Sequence, residues 1–171
     1  MKTKKSIESL FLKAYEYVEL GEICNAKLVL DDIVMEEPAY ARAHYLLGWI
    51  YFSHLSDYRT AEKHLKLCKQ YEPNFAPNYS VYADVLTAQD KLEDLTKLAV
   101  EGLSVPGIDR AYMFFKLAHA KEAREDYSEA LKFINKSRKF STSTEWLHFI
   151  DKEKIRLNKK IGLFQQIASL L

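Results

Sequence analysis

The chain reads as an all-α protein made of stacked helix pairs. Three observations predict this. Small residues recur at Ala14, Gly48, Ala83 and Ala118, at steps of 34, 35 and 35. A second set, Ala26, Ala61, Leu95 and Ala130, recurs at steps of 35, 34 and 35. Two independent marks with one period identify an internal repeat rather than chance amphipathicity. Glycine (5) and proline (4) are scarce and fall almost entirely at expected breaks, so helices with short connections fill most of the 171 residues. A unit of this length cannot bury its own apolar face, and stacked neighbours must bury it.

The elements follow in order. Ile7, Leu10, Phe11, Ala14, Tyr17 and Val18 recur at helical spacing, which predicts a first helix from Ser6 to Leu20. Gly21 stops it, because glycine readily adopts the left-handed closing conformation. A second helix runs from about Ile23 to Glu36, and Pro38 prevents continuation. The third spans Ala39 to Ser53. Asp57 caps the fourth, which ends near Tyr71, before Pro73. Asn74 is the expected cap of the fifth, with Pro77 tolerated in its first turn. Asp90 and Lys91 turn the chain into a sixth helix reaching Ser104. Val105, Pro106 and Gly107 form the clearest break. Asp109 caps a seventh helix running to about Arg124, and an eighth runs from near Ser128 to Lys139. Ser141 to Thr144 offer N-caps for a ninth, where Trp146, Phe149, Ile150, Leu157 and Ile161 fall mostly on one side. Gly162 breaks or loosens that helix.

The stretch from Ala39 to Pro73 carries the most specific pattern: Leu47-Gly48-x2-Tyr51, then Ala61-x3-Leu65, then Pro73. It resembles the tetratricopeptide repeat, whose signature is W-x2-L-G-x2-Y, A-x3-F and a closing proline. His44 stands in place of the usual tryptophan. The first unit matches at Ala14-x2-Tyr17, Ala26-x3-Leu30 and Pro38. The third matches at Tyr82-Ala83-x2-Leu86, Leu95-x3-Ala99 and Pro106, and the fourth at Leu117-Ala118 and Ala130-x3-Ile134 without a closing proline. The resemblance implies a right-handed α–α superhelix, a solenoid of four helix pairs over residues 1–142 (about 5–38, 39–73, 74–107 and 108–142). Residues 143–171 then form a C-terminal capping helix or helices, since a terminal repeat exposes an uncovered apolar face. The alternative for this tail is a docking or homodimerisation surface.

The resemblance also implies a function: first helices of such units line a concave surface that holds a segment of another protein. Read onto this sequence, the contact positions are Phe11, Tyr15, Arg42, Tyr45, Trp49, Phe52, Asp84, Tyr112, Phe115, His119 and Glu122. The aromatics suit an apolar peptide or amphipathic helix, because they bury large area at low entropy cost. Arg42, Asp84, His119 and Glu122 would set polar register. Chaperone-binding members of the family grip a terminal carboxylate with lysine, arginine and asparagine. Phe11, Tyr15, Leu46, Pro77 and Val81 stand at the matching places, which disfavours heat-shock chaperone tails. Type III secretion chaperones are similar in size and architecture but carry three repeats after an N-terminal helix, where this chain shows four. An adaptor or chaperone is therefore expected, with a self-associating scaffold as the competing class.

Composition excludes other classes. Hydrophobic residues make up 48% and charged residues 29%, and the formal net charge of +1 provides no global field for nucleic acid. The late basic residues from Lys132 to Lys160 read as a solvated helix face, with no nucleic-acid module signature. No glycine-rich phosphate loop, HExxH or paired-cysteine motif occurs, so neither enzymatic activity nor a cofactor nor a metal is expected. The five histidines are scattered, although His44 and His64 can approach within one unit. Cys24 and Cys68 have no partner spacing, no apolar run is long enough to span a membrane, and the N-terminus lacks a continuous signal-peptide core, so a cytoplasmic protein is expected.

Overall fold

The structure, a computed structural model, describes residues 4–168; the first three and last three residues of the expected repeat region and tail lie outside them. The described residues form helices α1 (Lys4–Glu19), α2 (Ile23–Glu36), α3 (Ala41–Ser53), α4 (Tyr58–Tyr71), α5 (Ala76–Ala88), α6 (Leu92–Gly102), α7 (Arg110–Glu122), α8 (Tyr127–Phe140) and α9 (Thr144–Ala168), with no strand among them. The fold is the all-α, tetratricopeptide-type solenoid that the period predicts. The helices fall into two compact units, Met1–Gln89 with α1–α5 and Asp90–Leu171 with α6–α9.

In the first unit, Ile7 and Ala14 of α1, Ala26, Leu30 and Ile33 of α2, and Ala43, Leu46, Leu47 and Ile50 of α3 form one buried core. The repeat's small residues set the distance between paired helices. A Cβ added at Gly48 would lie 2.6 Å from Leu65 Cγ and 2.7 Å from its Cδ2. Leu65 is fully buried on α4 and cannot swing away. In the second unit, Ala118, Ala130, Ile134, Ile150 and Leu157 form a core joining α7, α8 and α9.

The turn inside each helix pair adds a mark the sequence shows only once. Gly21, Ser56, Asp90 and Glu125 all have positive φ, between 52° and 75°, and recur at steps of 35, 34 and 35. After α1, Gly21 N–H donates to Val18 O and Glu22 N–H to Tyr17 O. After α7, Glu125 N–H donates to Glu122 O and Asp126 N–H to Lys121 O. Both are Schellman closures, which need a left-handed residue at the same place. Glycine meets that need at Gly21; Glu125 meets it against the steric cost of its Cβ.

Several boundaries differ from expectation. Asn74 does not cap α5. Phe75 takes the N-cap position, its N–H bonded to Glu72 O at 3.1 Å, and Pro77 falls in the first turn as anticipated. Likewise Tyr40, not the residue before Ala39, precedes α3. α6 stops at Gly102, two residues early, because Ser104 and Val105 N–H turn back onto Glu101 and Gly102 carbonyls. α8 begins at Tyr127, ahead of Ser128, because Asp126 accepts from Glu129 N–H. Asp57 and Asp109 cap α4 and α7 as expected, accepting from Thr60 and Tyr112 N–H. Gly162 neither breaks α9 nor ends it; helical hydrogen bonding carries through an isolated glycine at a cost of about 1 kcal/mol.

Two substitutions test these constraints by thermal or urea unfolding. Gly48→Ala should destabilise by about 1 kcal/mol net, because overpacking against Leu65 exceeds the gain in helix propensity. Glu125→Gly should instead stabilise by about 0.5–1 kcal/mol, by removing the left-handed penalty at a closed turn.

Candidate functional site

The first-helix positions named above divide between the two units, and each group has its own surroundings. In the first unit, Phe11 and Tyr15 project from α1, Arg42, Tyr45, Trp49 and Phe52 from α3, and Asp84 from α5. Tyr15 is the most open of these aromatics, 49% exposed. Each of the others leans on a neighbour. The Phe11 ring meets Tyr40 at 5.3 Å between centroids, Tyr45 meets Phe75 edge-on at 5.1 Å, Trp49 meets His54 at 5.0 Å, and Phe52 meets Tyr58 at 5.9 Å. These rings are half-buried, and burial pushes the Tyr45 phenol above its ordinary range. Arg42 is exposed, with its guanidinium 5.8 Å from the Phe75 centroid and 3.7 Å from the Glu72 carboxylate. Asp84 is half-buried.

The partners Tyr40 and Phe75 were not among the sequence-predicted positions, yet the signal was there. Each stands two residues after a closing proline, in Pro38-Ala39-Tyr40 and Pro73-Asn74-Phe75, one period apart. The entry turns holding them are pinned alike. His44 Nε2 donates to Pro38 O at 2.8 Å, and Tyr79 OH donates to Pro73 O at 2.9 Å. His44 and Tyr79 occupy the same phase, the place of the family's tryptophan, so a hydrogen bond replaces packing there.

A cavity of about 510 Å³ opens at the N-terminal ends of α1 and α3. It is lined by Glu8, Glu37, Tyr40, Arg42, Tyr71 and Glu72, with Ala39 and Ala41. Tyr40 OH donates to Glu8 at 3.2 Å, and burial beside the Glu8 charge pushes that phenol up to about 12.

Below α3, two imidazoles face one another: His44 Nδ1 and His64 Nδ1 are 3.0 Å apart. A carbonyl can only accept, so His44 carries its proton on Nε2 toward Pro38. Its bare Nδ1 then accepts from His64 Nδ1–H. His64 stacks on Tyr51 at 5.6 Å, and His44 on Tyr71 at 6.0 Å. Burial, then repulsion from His44, lowers His64 to about 4. The expected approach of these two histidines is thus found, as a structural hydrogen bond. Among the described residues no group of three or more His, Cys, Asp or Glu is placed to hold a metal ion.

In the second unit, α9 lies over the α7 positions. Tyr112 and Phe115 meet Trp146 at 5.8 and 5.4 Å, and Phe115 meets Phe149 at 5.2 Å. Trp146 is fixed in turn: its indole N–H donates to Ser137 Oγ at 3.2 Å, and that buried hydroxyl donates to Ala111 O at 2.7 Å. Glu122 receives Arg156 and Lys160 from α9. Their hydrogen bonds hold its carboxyl down at about 2. His119 is half-buried, its Nδ1 without a hydrogen bond, and burial lowers its pKa. The long basic run of α9 is therefore partly consumed internally, with Arg138 also paired to Asp151 at 2.8 Å.

Residues 41–75 match the family model described as tetratricopeptide repeat. No curated protein matches the sequence significantly. Among solved structures, the chain is similar to MamA from Desulfovibrio magneticus RS-1, at 14% identity and TM-score 0.71, covering 96% of this chain and 94% of that one. It is similar to YrrB, described as a tetratricopeptide-repeat protein with an unusual peptide-binding site, at 14% identity and TM-score 0.73 over 86% and 75%. It is also similar to the TPR2B domain of yeast Sti1, solved as a pHsp70 complex, at 20% identity and TM-score 0.63 over 70% and 97%. The second helix pair is thus a tetratricopeptide repeat, and the chain has the fold of tetratricopeptide-repeat proteins. No helix among the described residues is long and apolar enough to cross a membrane.

The buried groups set a pH dependence whose sign is fixed. His64 is lowered from 6.5 to about 4, so the unfolded chain binds more protons and stability falls as pH drops through that window. Glu122 is lowered from 4.5 to about 2, so its contribution is complete above 4.5 and lost as pH falls toward 2. Melting temperature should therefore fall in two stages on acidification. His64→Gln should flatten the upper stage and Glu122→Gln the lower.

Proposed function

We propose that this chain is a non-catalytic protein-interaction module, an adaptor or chaperone that holds an apolar peptide or helix of a partner protein. Its repeats are read as four units over residues 1–142, followed by a C-terminal cap over 143–171. The observation that carries the reading is the aromatic strip of the first unit: half-exposed Tyr15 on α1, with half-buried Tyr45, Trp49 and Phe52 along α3. Rigid aromatics that keep one open face while leaning on a fixed neighbour suit hot-spot contacts, since little side-chain entropy remains to be lost. The named neighbours YrrB and Sti1 TPR2B are described with a peptide-binding site and in a complex, which makes peptide binding a natural use of this fold.

The contact surface is placed on Phe11, Tyr15, Arg42, Tyr45, Trp49, Phe52 and Asp84. Tyr112, Phe115 and Glu122 act by positioning α9, whose contacts already cover them, and His119 lies among them. A self-associating scaffold is the second reading, favoured by the exposed Ile155 and Leu163 of α9, 58% and 60% open.

The test pairs Tyr15→Ala with Tyr45→Ala. Tyr15 is open, so its loss should leave helicity and melting temperature nearly unchanged, yet weaken capture of an apolar partner segment by about 1–2 kcal/mol. Tyr45→Ala should weaken capture more and also cost some stability, because its ring packs on Phe75. The readouts are circular dichroism and affinity for a leucine-faced amphipathic peptide. Unchanged affinity in both variants would move the contact surface elsewhere. Light scattering at two concentrations separates the scaffold reading, which a strict monomer removes.

A further inference from the structure

Glu8 and Arg42 open the α1 and α3 stripes that continue through Phe11 and Tyr15 and through Tyr45 and Trp49. The cavity lies at the end of those helices from which the aromatic positions start. Its lining is chemically one-sided. Glu8, Glu37 and Glu72 contribute three carboxylates, against the single guanidinium of Arg42. Arg42 is engaged with Glu72 and with the Phe75 ring. Glu8 accepts a neutral hydrogen bond from Tyr40 and has no ion pair among the described residues. Glu37 has no ion pair among the described residues. Tyr40 and Tyr71 also line it, and aromatic rings attract cations.

Carboxylates at the rim and aromatic faces on the walls make a receptor for a positive side chain. We propose that this cavity takes a lysine or arginine side chain of the same partner segment whose apolar residues lie on Tyr15, Tyr45 and Trp49. The inference rests on the function proposed above and gives that partner its charge: an apolar segment flanked by a basic residue. It reverses the polarity of the family's carboxylate-gripping clamp. An acidic residue at that point is repelled by Glu8, Glu37 and Glu72, so the cavity discriminates as well as attracts. It also sets direction, because the acidic cavity lies at the N-terminal end of α1 and α3.

The probe is a fluorescently labelled amphipathic peptide with one leucine face, made in three forms that differ in one residue placed at either end: lysine, norleucine or glutamate. With the full chain at low ionic strength, the lysine form should bind about tenfold more tightly than the glutamate form, with norleucine between them. Added salt should compress this difference. Glu37→Gln should shrink the preference. Glu37→Lys should invert it, so that the glutamate peptide binds best. Circular dichroism confirms that both variants fold. Equal affinities for the three forms, or a lysine preference untouched in Glu37→Lys, would overturn the inference while leaving the aromatic strip intact. Failure of all three forms to bind would remove the strip and the cavity together.

Discussion

The contact between Gly48 and Leu65 is the constraint on which the first unit depends. With only a hydrogen on Cα, α3 comes close enough to α4 for the buried Leu65 to sit against its backbone. That approach aligns Leu47 and Ile50 with the core supplied by α1 and α2. Alanine serves the same phase at Ala14, Ala83 and Ala118, all buried. Dispersion contacts in such a seam are individually small, and their sum depends on separation being held to a fraction of an ångström. A larger residue at this phase disturbs the whole interlock, since close-packed interiors transmit strain.

Helix spacing alone does not place the aromatic strip. The entry turns do, and each is fastened by a side chain from the following helix to a proline carbonyl: His44 to Pro38, and Tyr79 to Pro73. The fastened turns present Tyr40 and Phe75, against which Phe11 and Tyr45 lean. His44 thereby does two things, since its second nitrogen accepts from His64 on α4. A position where the repeat signature places an indole has become a small polar network. Fully satisfied, such a network specifies one arrangement, and its sensitivity to protons is the other side of the same property.

In the second unit α9 packs on the aromatics of α7. α9 takes the place that another first helix would occupy. Trp146 reaches the buried Ser137 hydroxyl, which reaches the Ala111 carbonyl, so three helices share one hydrogen-bond chain. Arg156 and Lys160 then close on Glu122 a few turns later. The α7 residues Tyr112, Phe115 and Glu122 meet α9 and are half-buried. Apolar adhesion at one end and ion pairing at the other hold this long helix on α7.

Much of this was legible in the residues. The recurring small side chains and their period of about thirty-five residues pointed to paired helices, because apolar residues within each unit recur at helical spacing between short breaks. Asp57 and Asp109 marked helix starts, since a short carboxylate satisfies amide groups left bare at an N-terminus. Gly21 marked a left-handed turn. Its equivalents at Ser56, Asp90 and Glu125 did not, because a turn closed by its own hydrogen bonds imposes that conformation on residues that do not prefer it. Helical phase also selected Phe11, Tyr45 and Phe115 correctly as first-helix positions but could not say what each would touch. Exposure depends on which element arrives next, and that is decided only when distant segments pack. The convergence of Glu8, Glu37 and Glu72 around Tyr40 and Tyr71 belongs to tertiary structure for the same reason: residues up to sixty-four positions apart become one lining only after α1, α3 and α4 have stacked.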